Sequence, residues 1–215
     1  MSFTLYHYVH CPFCMRVRMV FGFLNIQYTS KVLAYNDEVT PVELTGKKML
    51  PALVSNAKAL NESLDIIAFI DTQNIFKVKE VTNSSDFKTF ESFLNTIGNP
   101  IHSLAMPYWM YTPEFSPEAR VYFQKKKEIK RGPFKELVKN QKHFVQELEP
   151  LLRQIENKLQ PFYESKTLTL KDILLAAHLW GLYVVPEFQF SEKMHQYLQR
   201  IKVLCNFNYH QDAWG

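Results

Sequence analysis

Two cysteines with two residues between them stand where the sequence pattern changes from a strand to a helix. Cys11-Pro12-Phe13-Cys14 follows a strand-like run at residues 3–9 and precedes a helical pattern. The first N–H groups of a helix lack partners within it and carry the positive end of the helix dipole, so they stabilise a thiolate on Cys11. Pro12 suits the first helical position, and Cys14 lies on the same helical face within reach of a disulfide. The motif therefore predicts a redox-active dithiol.

Thiol–disulfide exchange needs one thiolate as the attacker and a second thiol that stays protonated nearby. We expect Cys11 and Cys14 to divide these roles. The helix dipole contributes at most ~2 kcal/mol, which lowers a thiol pKa by less than about two units. Further lowering requires direct N–H bonds or cations, and the candidate cations by residue type are Arg16, Arg18, Lys47 and Lys48.

The cysteine count places this dithiol in a reducing compartment. Three cysteines in 215 residues do not make a disulfide scaffold, so a catalytic pair is expected, in the cytoplasm. The sequence start has no pattern of an export signal. The most apolar stretch, residues 173–188, is interrupted by polar residues and is shorter than the ~20 residues of a membrane span, so we expect a buried helix and no membrane contact.

The charge pattern does not favour nucleic acid. The formal net charge is +4, and the one dense basic run holds Lys125, Lys126, Lys127, Lys130 and Arg131. This run is expected to be a solvated helix face, since no nucleic-acid-binding motif accompanies it.

The same cysteine spacing also forms half of many zinc sites, but a complete site is not expected. A closed zinc site needs four ligands, and the only other cysteine is Cys205. His7 and His10 lack the usual spacing and are expected to be ordinary strand-end or loop residues. His178 is expected to be a hydrogen-bonded core histidine, and Cys205 an inert, partly buried thiol. We predict no metal.

The order of patterns predicts two domains. The first seventy residues alternate in type, which predicts a small mixed sheet covered by helices, while apolar residues recur at helical spacing after residue 85. We expect domains at 1–72 and 86–215 with a linker at 73–85. Strands are predicted at 3–8, 27–33, 52–55 and 58–60, and helices at 14–24, 40–45 and 63–71.

The second half is predicted to be entirely helical. An apolar stripe from Phe87 predicts a helix that ends near Asn99-Pro100. Further helices are expected after the Ser116-Pro117 cap, across 134–159 with a break or kink at Pro150, and across 191–205; Thr169 to Asp172 resembles a capping box.

Two downstream motifs resemble those of thioredoxin-like domains that bind glutathione. Met49-Leu50-Pro51-Ala52 resembles the loop whose cis proline faces the active cysteine, and Glu62-Ser63 resembles the step at a helix start that holds the γ-glutamyl end of glutathione. A helix N-terminus favours an anion, so Ser63 could bind the α-carboxylate, and Glu62 would complement the ammonium. The resemblance implies a glutathione site formed by Pro12, Phe13, Lys48, Leu50, Pro51, Glu62 and Ser63, beside the catalytic Cys11 and Cys14.

Four segments resemble the glutaredoxin 2 family within the glutathione S-transferase superfamily: the two-cysteine motif, residues 45–51, residues 62–66 and residues 116–127. The resemblance spans most of the chain, and it is looser after about Gly132. This resemblance implies an α/β thioredoxin-like N-terminal domain and an all-α glutathione S-transferase-like C-terminal domain. It also implies a glutathione-dependent oxidoreductase that reduces glutathionyl mixed disulfides and protein disulfides, as a cytoplasmic monomer whose partners are glutathione and the oxidised proteins. Phe13 stands where glutaredoxins usually have tyrosine, and the lost hydroxyl affects the expected redox tuning.

Two alternatives remain open at the level of the sequence. A glutathione S-transferase would conjugate glutathione to electrophiles, but it has no need of a second cysteine. An iron–sulfur scaffold would ligate a cluster through Cys11 and glutathione between two chains.

Overall fold

A four-stranded mixed sheet forms the centre of the N-terminal half. The computed structural model describes residues 2–56 and 58–208. Strand β1 runs parallel to β2 and antiparallel to β3, which pairs antiparallel with β4, so the order is β2-β1-β3-β4. The strands are β1 (Phe3–His7), β2 (Thr29–Val32), β3 (Ala52–Ser55) and β4 (Lys58–Leu60), and the helices of this half are α1 (Pro12–Phe23), α2 (Thr40–Thr45) and α3 (Ser63–Ile70).

The regular elements that the structure describes in the C-terminal half are helices, apart from two isolated β-bridges within residues 159–165. Its helices are α4 (Val78–Thr82), α5 (Ser85–Trp109), α6 (Pro117–Arg131), α7 (Phe134–Lys139), α8 (Gln141–Lys158), α9 (Leu170–Leu179), which continues into the 3₁₀ helix Trp180–Val184, and α10 (Glu192–Leu204). The predicted fold class, a thioredoxin-like α/β domain followed by an all-α domain, is therefore confirmed.

Serine side chains begin three of these helices. The hydroxyls of Ser84, Ser116 and Ser191 each accept a hydrogen bond from a backbone N–H in the first turn, at 3.1 to 3.2 Å. The capping box at α9 is also confirmed, since Asp172 accepts from both the N–H and the hydroxyl of Thr169, at 2.8 and 2.7 Å.

The segment expected to be a linker contains a short helix. Helix α4 lies within residues 73–85; its first residue, Val78, is buried, as is Phe76 just before it. The Asp71 carboxylate accepts from the N–H groups of Ile75 and Phe76, at 2.9 and 2.7 Å. These contacts order a segment whose composition alone indicates a loop.

The predicted end of the stripe helix near Pro100 was wrong. Helix α5 continues through Pro100 and Pro107 as far as Trp109. The two helix-interior prolines together cost about 6 kcal/mol, but the apolar side chains beyond Pro100 are almost fully buried, and burying each contributes about 1.5–3 kcal/mol; they are Ile101, Leu104, Met106 and Trp109. Burial therefore outweighs the local cost.

The break expected at Pro150 also lies elsewhere. Helix α8 extends through Pro150, and the chain is divided instead at Asn140, between α7 and α8. Leu148 and Ile155 on either side of the proline are fully buried, so packing holds the helix together across it.

The helix that carries the cysteines connects the two halves. Helix α1 packs against α3 of its own half and against α9 and α10 of the helical half. The stretch 173–188 is mostly buried as far as residue 185, whereas Pro186 and Glu187 are exposed, and it forms most of α9, the 3₁₀ helix and a turn rather than one continuous helix. No helix in the described part of the chain has the length and apolar character needed to cross a membrane.

Candidate active site

Cys11 and Cys14 occupy the first turn of α1, at the carboxyl end of β1. Cys11 has an extended backbone and Pro12 takes the first helical position. The Cys11 carbonyl accepts the N–H groups of Cys14 and Met15, at 3.0 and 2.9 Å. Cys11 is partly exposed, whereas Cys14 is fully buried and its sulfur accepts the Tyr8 N–H at 3.4 Å. Both thiols are free.

The two thiols differ sharply in acidity. The pKa of Cys11 is lowered to about 7, chiefly by a hydrogen bond from the Cys14 thiol, with further help from the N–H groups of Cys14 and Phe13 and the charge of Arg16, against the opposing effect of burial. Burial raises the pKa of Cys14 well above its ordinary value. At neutral pH Cys11 is therefore ionised in about half of the molecules, while Cys14 stays a protonated thiol.

Of the four candidate cations, the structure places Arg16 beside the cysteines. Arg18 donates to the Asn208 carbonyl at 3.2 Å, and Lys47 is exposed. Lys48 donates to the Glu38 carboxylate at 2.5 Å and to the Tyr122 hydroxyl at 2.9 Å. Lys48 is thus committed to a contact between the two halves of the protein.

The Leu50-Pro51 peptide is cis, and it lies close to the dithiol. Leu50 and Ala52 pack with Cys14 in a small cluster, against which Cys11 also packs. The loop with the cis peptide therefore packs beside the dithiol.

Glu62 and Ser63 lie at the start of α3. Glu62 is exposed and adopts an extended backbone, while Ser63 is the first residue of the helix and is buried. The Ser63 hydroxyl accepts a hydrogen bond from Nη1 of Arg16 at 3.5 Å. Arg16 therefore joins this helix start to the cysteine helix.

The ring of Phe13 stands at the mouth of the site. It is 47% exposed, although Pro12 beside it is buried. The Arg16 guanidinium carbon lies 4.5 Å from the Phe13 ring centre, and the His178 ring of α9 meets the same ring edge-on at 6.2 Å. Phe13 thus shields one side of Arg16.

Sequence reasoning missed the role of His10. Instead of an ordinary loop residue, it is 4% exposed and its ring contacts a group of aromatic side chains from both halves. The ring centres lie 5.0 to 5.7 Å from that of His10, and the residues are Tyr8, Tyr35, Trp109, Phe115 and Phe123. Burial lowers the pKa of His10, so its ring is neutral at neutral pH. His7 is likewise buried, with Nε2 at 2.7 Å from the Ser30 hydroxyl.

Lys127 was expected on a solvated helix face and instead turns inward. Its ammonium lies 5.6 Å from the Tyr35 ring and 5.7 Å from the Phe123 ring, and its charge interacts with Cys11. The sequence contains a signal for this orientation, because Lys127 follows the apolar residues Ala119 and Phe123 at spacings of four and so shares their helix face. In the structure both apolar residues are fully buried. Lys125 is exposed, as expected.

The predictions for the remaining candidates can also be compared with the structure. His178 is a buried core histidine whose Nδ1 lies 2.8 Å from the Leu174 carbonyl, as expected. Cys205 is fully buried, and burial raises its pKa to about 12. Within residues 2–56 and 58–208, no group of three or more histidine, cysteine, aspartate or glutamate side chains could hold a metal ion.

A thioredoxin-like domain with a dithiol at a helix start, followed by an all-α domain, defines a redox protein of the glutathione S-transferase architecture. Residues 5–74 match the family model of the glutathione S-transferase N-terminal domain, and residues 89–213 match that of the glutaredoxin 2 C-terminal domain. The chain belongs to the glutaredoxin 2 family.

Individual relatives agree with this assignment. Glutaredoxin 2 of Escherichia coli K12 is 29% identical over 198 residues, which are 90% of this chain and 91% of the relative. The crystal structure of glutaredoxin 2 from Salmonella typhimurium in complex with glutathione matches with a TM-score of 0.84 at 29% identity, over 97% of each chain. A glutathione transferase from Phanerochaete chrysosporium matches with a TM-score of 0.78 at 15% identity, over 97% of this chain and 98% of the other, and this likeness concerns the fold alone.

Proposed function

We propose that this protein is a glutathione-dependent thiol–disulfide oxidoreductase that reduces glutathionyl mixed disulfides through Cys11, and protein disulfides through Cys11 and Cys14 together. The observation that carries the proposal is the separation in acidity between the two thiols, with the pKa of Cys11 lowered to about 7 and that of Cys14 raised. A thiol whose pKa lies close to the pH of the solution combines a substantial thiolate fraction with good nucleophilicity of that thiolate.

In the first step, the Cys11 thiolate attacks the glutathione sulfur of a mixed disulfide. The old S–S bond breaks, the target thiolate leaves and takes a proton from water, and a Cys11–glutathione disulfide forms. The thiolate of a second glutathione then attacks the glutathionyl sulfur, which forms glutathione disulfide and returns Cys11 as a thiolate. In the mixed-disulfide route, one glutathione thiol is oxidised, and it forms glutathione disulfide with the glutathionyl group taken from the target. In the protein-disulfide route, two glutathione thiols are oxidised to one glutathione disulfide.

Glutathione would bind along the face formed by the predicted residues. The backbone of Leu50, before the cis Pro51, is available to pair with the cysteinyl part of glutathione, and the start of α3 at Ser63 suits its γ-glutamyl carboxylate. The relative from Salmonella typhimurium was solved in complex with glutathione, which supports this ligand. Lys48, which is already bonded to Glu38 and Tyr122, would have to exchange those contacts to reach the ligand.

For protein disulfides, Cys14 is the resolving thiol. After Cys11 attacks one sulfur of the target, Cys14 attacks Cys11, which releases the second target thiol and leaves a Cys11–Cys14 disulfide. The position of Cys14 in the same helical turn makes this intramolecular attack possible.

The test is reduction of a small glutathionyl mixed disulfide by glutathione, coupled to NADPH consumption through glutathione reductase. We expect Cys11→Ser to abolish activity and Cys14→Ser to retain most of it, while Cys14→Ser loses the reduction of a protein disulfide. Cys205→Ser is the matched control, since this thiol is buried away from the dithiol and should not affect either rate. An inactive wild type, or Cys11→Ser that still turns over, would contradict the proposal; conjugation of a chromogenic halide by Cys11→Ser would instead identify a transferase.

A further inference from the structure

Arg16 is a buried cation at the base of the candidate site. Its side chain is 6% exposed, Nη1 donates to the Ser63 hydroxyl at 3.5 Å, and Nε has no hydrogen-bond partner within residues 2–56 and 58–208. No described carboxylate forms an ion pair with it within 4 Å; Glu91 acts on it only at longer range. Burial lowers the pKa of Arg16 to about 10, so the group is still charged at neutral pH.

A buried positive charge is unfavourable unless a negatively charged group lies close to it. Buried charges in proteins are normally paired, and removing a guanidinium from water without a partner costs several kcal/mol. The Cys11 thiolate supplies a nearby negative charge in the free protein. Once Cys11 enters a mixed disulfide its sulfur is neutral, so Arg16 needs a second anion during the reaction.

The start of α3 supplies a place for that anion. Ser63 is the first residue of this eight-residue helix, whose first N–H groups have no partner within the helix and favour a negative group. Arg16 reaches the same point from α1. A helix N-terminus and a buried guanidinium whose Nε has no hydrogen-bond partner among the described residues therefore lie next to each other, joined by the contact of Nη1 with the Ser63 hydroxyl.

The guanidinium is also held in a fixed orientation. Phe13 lies against it at 4.5 Å, and Ser63 accepts from one of its terminal nitrogens. A guanidinium presents its donors as a rigid fork that matches a carboxylate, which a lysine ammonium cannot reproduce. The arrangement is suited to a carboxylate that arrives in one defined position.

We propose that Arg16 binds the α-carboxylate of the γ-glutamyl group of glutathione together with the start of α3, and that it thereby determines the preference for glutathionyl disulfides over other disulfides. This inference rests on the proposed function, because it assigns a ligand contact to the same site. It makes Arg16 a binding residue in addition to its electrostatic effect on Cys11.

The experiment compares two substrates that differ only in this carboxylate. One is a small glutathionyl mixed disulfide, and the other carries a 4-aminobutyryl group in place of the γ-glutamyl group, which keeps the ammonium and removes the carboxylate. Single-turnover rates of thiol release by the reduced protein are measured, so that no second glutathione enters. Any change in the reactivity of Cys11 affects both substrates alike and cancels in the ratio of their rates.

In the wild type we expect the intact substrate to react roughly 10- to 100-fold faster, the effect of a hydrogen-bonded charge pair. Arg16→Met should remove most of this preference, and Arg16→Lys should retain part of it. Arg18→Met is the matched control, because it removes a positive charge from the same helix at a side chain that packs on Phe207, and the preference should be unchanged.

An unchanged preference in Arg16→Met, with both rates lowered equally, would overturn the inference. Calorimetric binding of glutathione and its 4-aminobutyryl analogue to Cys11→Ser, with and without Arg16→Met, gives the same comparison without turnover. If the wild type is inactive but binds glutathione more tightly than the analogue, and this preference depends on Arg16, the proposed function is refuted and this inference is supported. If binding shows no preference for glutathione over the analogue, this inference is overturned. If Arg16→Met does not fold, as judged by circular dichroism, Arg16→Gln and Arg16→Lys are compared in its place.

Discussion

Replacement of Cys14 tests what makes the Cys11 thiolate stable. The pKa of Cys11 lies at about 7 rather than 9.0, and the hydrogen bond from the Cys14 thiol is the largest cause. Two pKa units correspond to about 2.7 kcal/mol, and a hydrogen bond to a charged group contributes about 1.5–3 kcal/mol. Cys14→Ala should therefore raise the pKa of Cys11 by about one unit or more, whereas Cys14→Ser keeps a donor at the same position and should hold the pKa closer to 7.

The assay is the rate of alkylation of Cys11 by iodoacetamide as a function of pH. Cys205 does not interfere, because burial raises its pKa to about 12. At pH 7 a one-unit rise reduces the thiolate fraction about fivefold, but the more basic thiolate is intrinsically about threefold more nucleophilic. Cys14→Ala should thus react about twofold more slowly at pH 7 and about threefold faster at high pH.

The alkylation rates of the wild type and of Cys14→Ala, plotted against pH, should therefore cross, and this crossing would show that the Cys14 thiol stabilises the Cys11 thiolate. Coinciding midpoints for wild type, Cys14→Ala and Cys14→Ser would refute the reasoning, since the backbone N–H groups and Arg16 would then be sufficient to stabilise the thiolate. A midpoint that rises equally in both variants would show that sulfur itself, rather than a donor at this position, is required.

Two further predictions concern stability. Burial lowers the pKa of His178 to about 4, so the unfolded chain binds more protons than the folded protein, and stability is lost as pH falls from 6.5 towards 4. In urea titrations, His178→Gln should reduce the slope of the unfolding free energy against pH by about 1 kcal/mol per unit between pH 6 and 5, and an unchanged slope would contradict this. Gly22→Ala places a Cβ 1.7 Å from the Cys205 carbonyl oxygen and should destabilise by about 3 kcal/mol or more, whereas Gly98→Ala, with its nearest atom at 3.9 Å, should stabilise by about 0.5–1 kcal/mol in the same denaturation assay.

The short elements of the first half could be predicted because their signals are local. The observed α2, β3 and β4 have the bounds that the sequence indicates, because residues next to these short segments mark their ends, such as Gly46 after α2. The continuation of α5 past Pro100 could not be predicted in this way. It depends on apolar contacts that residues such as Leu104 and Trp109 make with distant parts of the chain.

The candidate site also contains features that local sequence patterns predict and features that depend on distant contacts. The dithiol and the cis Leu50-Pro51 peptide carry recognisable local patterns, and the structure brings them together. The position of Lys48 against Glu38 and Tyr122 depends on the packing of α6 on the first half, which no local pattern reports. Roles inferred for single residues by resemblance are therefore weaker than the placement of the motif that contains them.

The charge balance at Cys11 belongs to both halves of the protein rather than to the dithiol motif alone. Arg16 comes from the cysteine helix, whereas the charge of Lys127 acts on Cys11 from α6. His178 of α9 contacts the ring of Phe13. Burial keeps His178 neutral near pH 7, so the histidine adds no positive charge that would compete with Arg16 for an anion. The helical half thus contributes one cation, from α6, and one neutral side chain, from α9, to a site whose nucleophile lies in the other half.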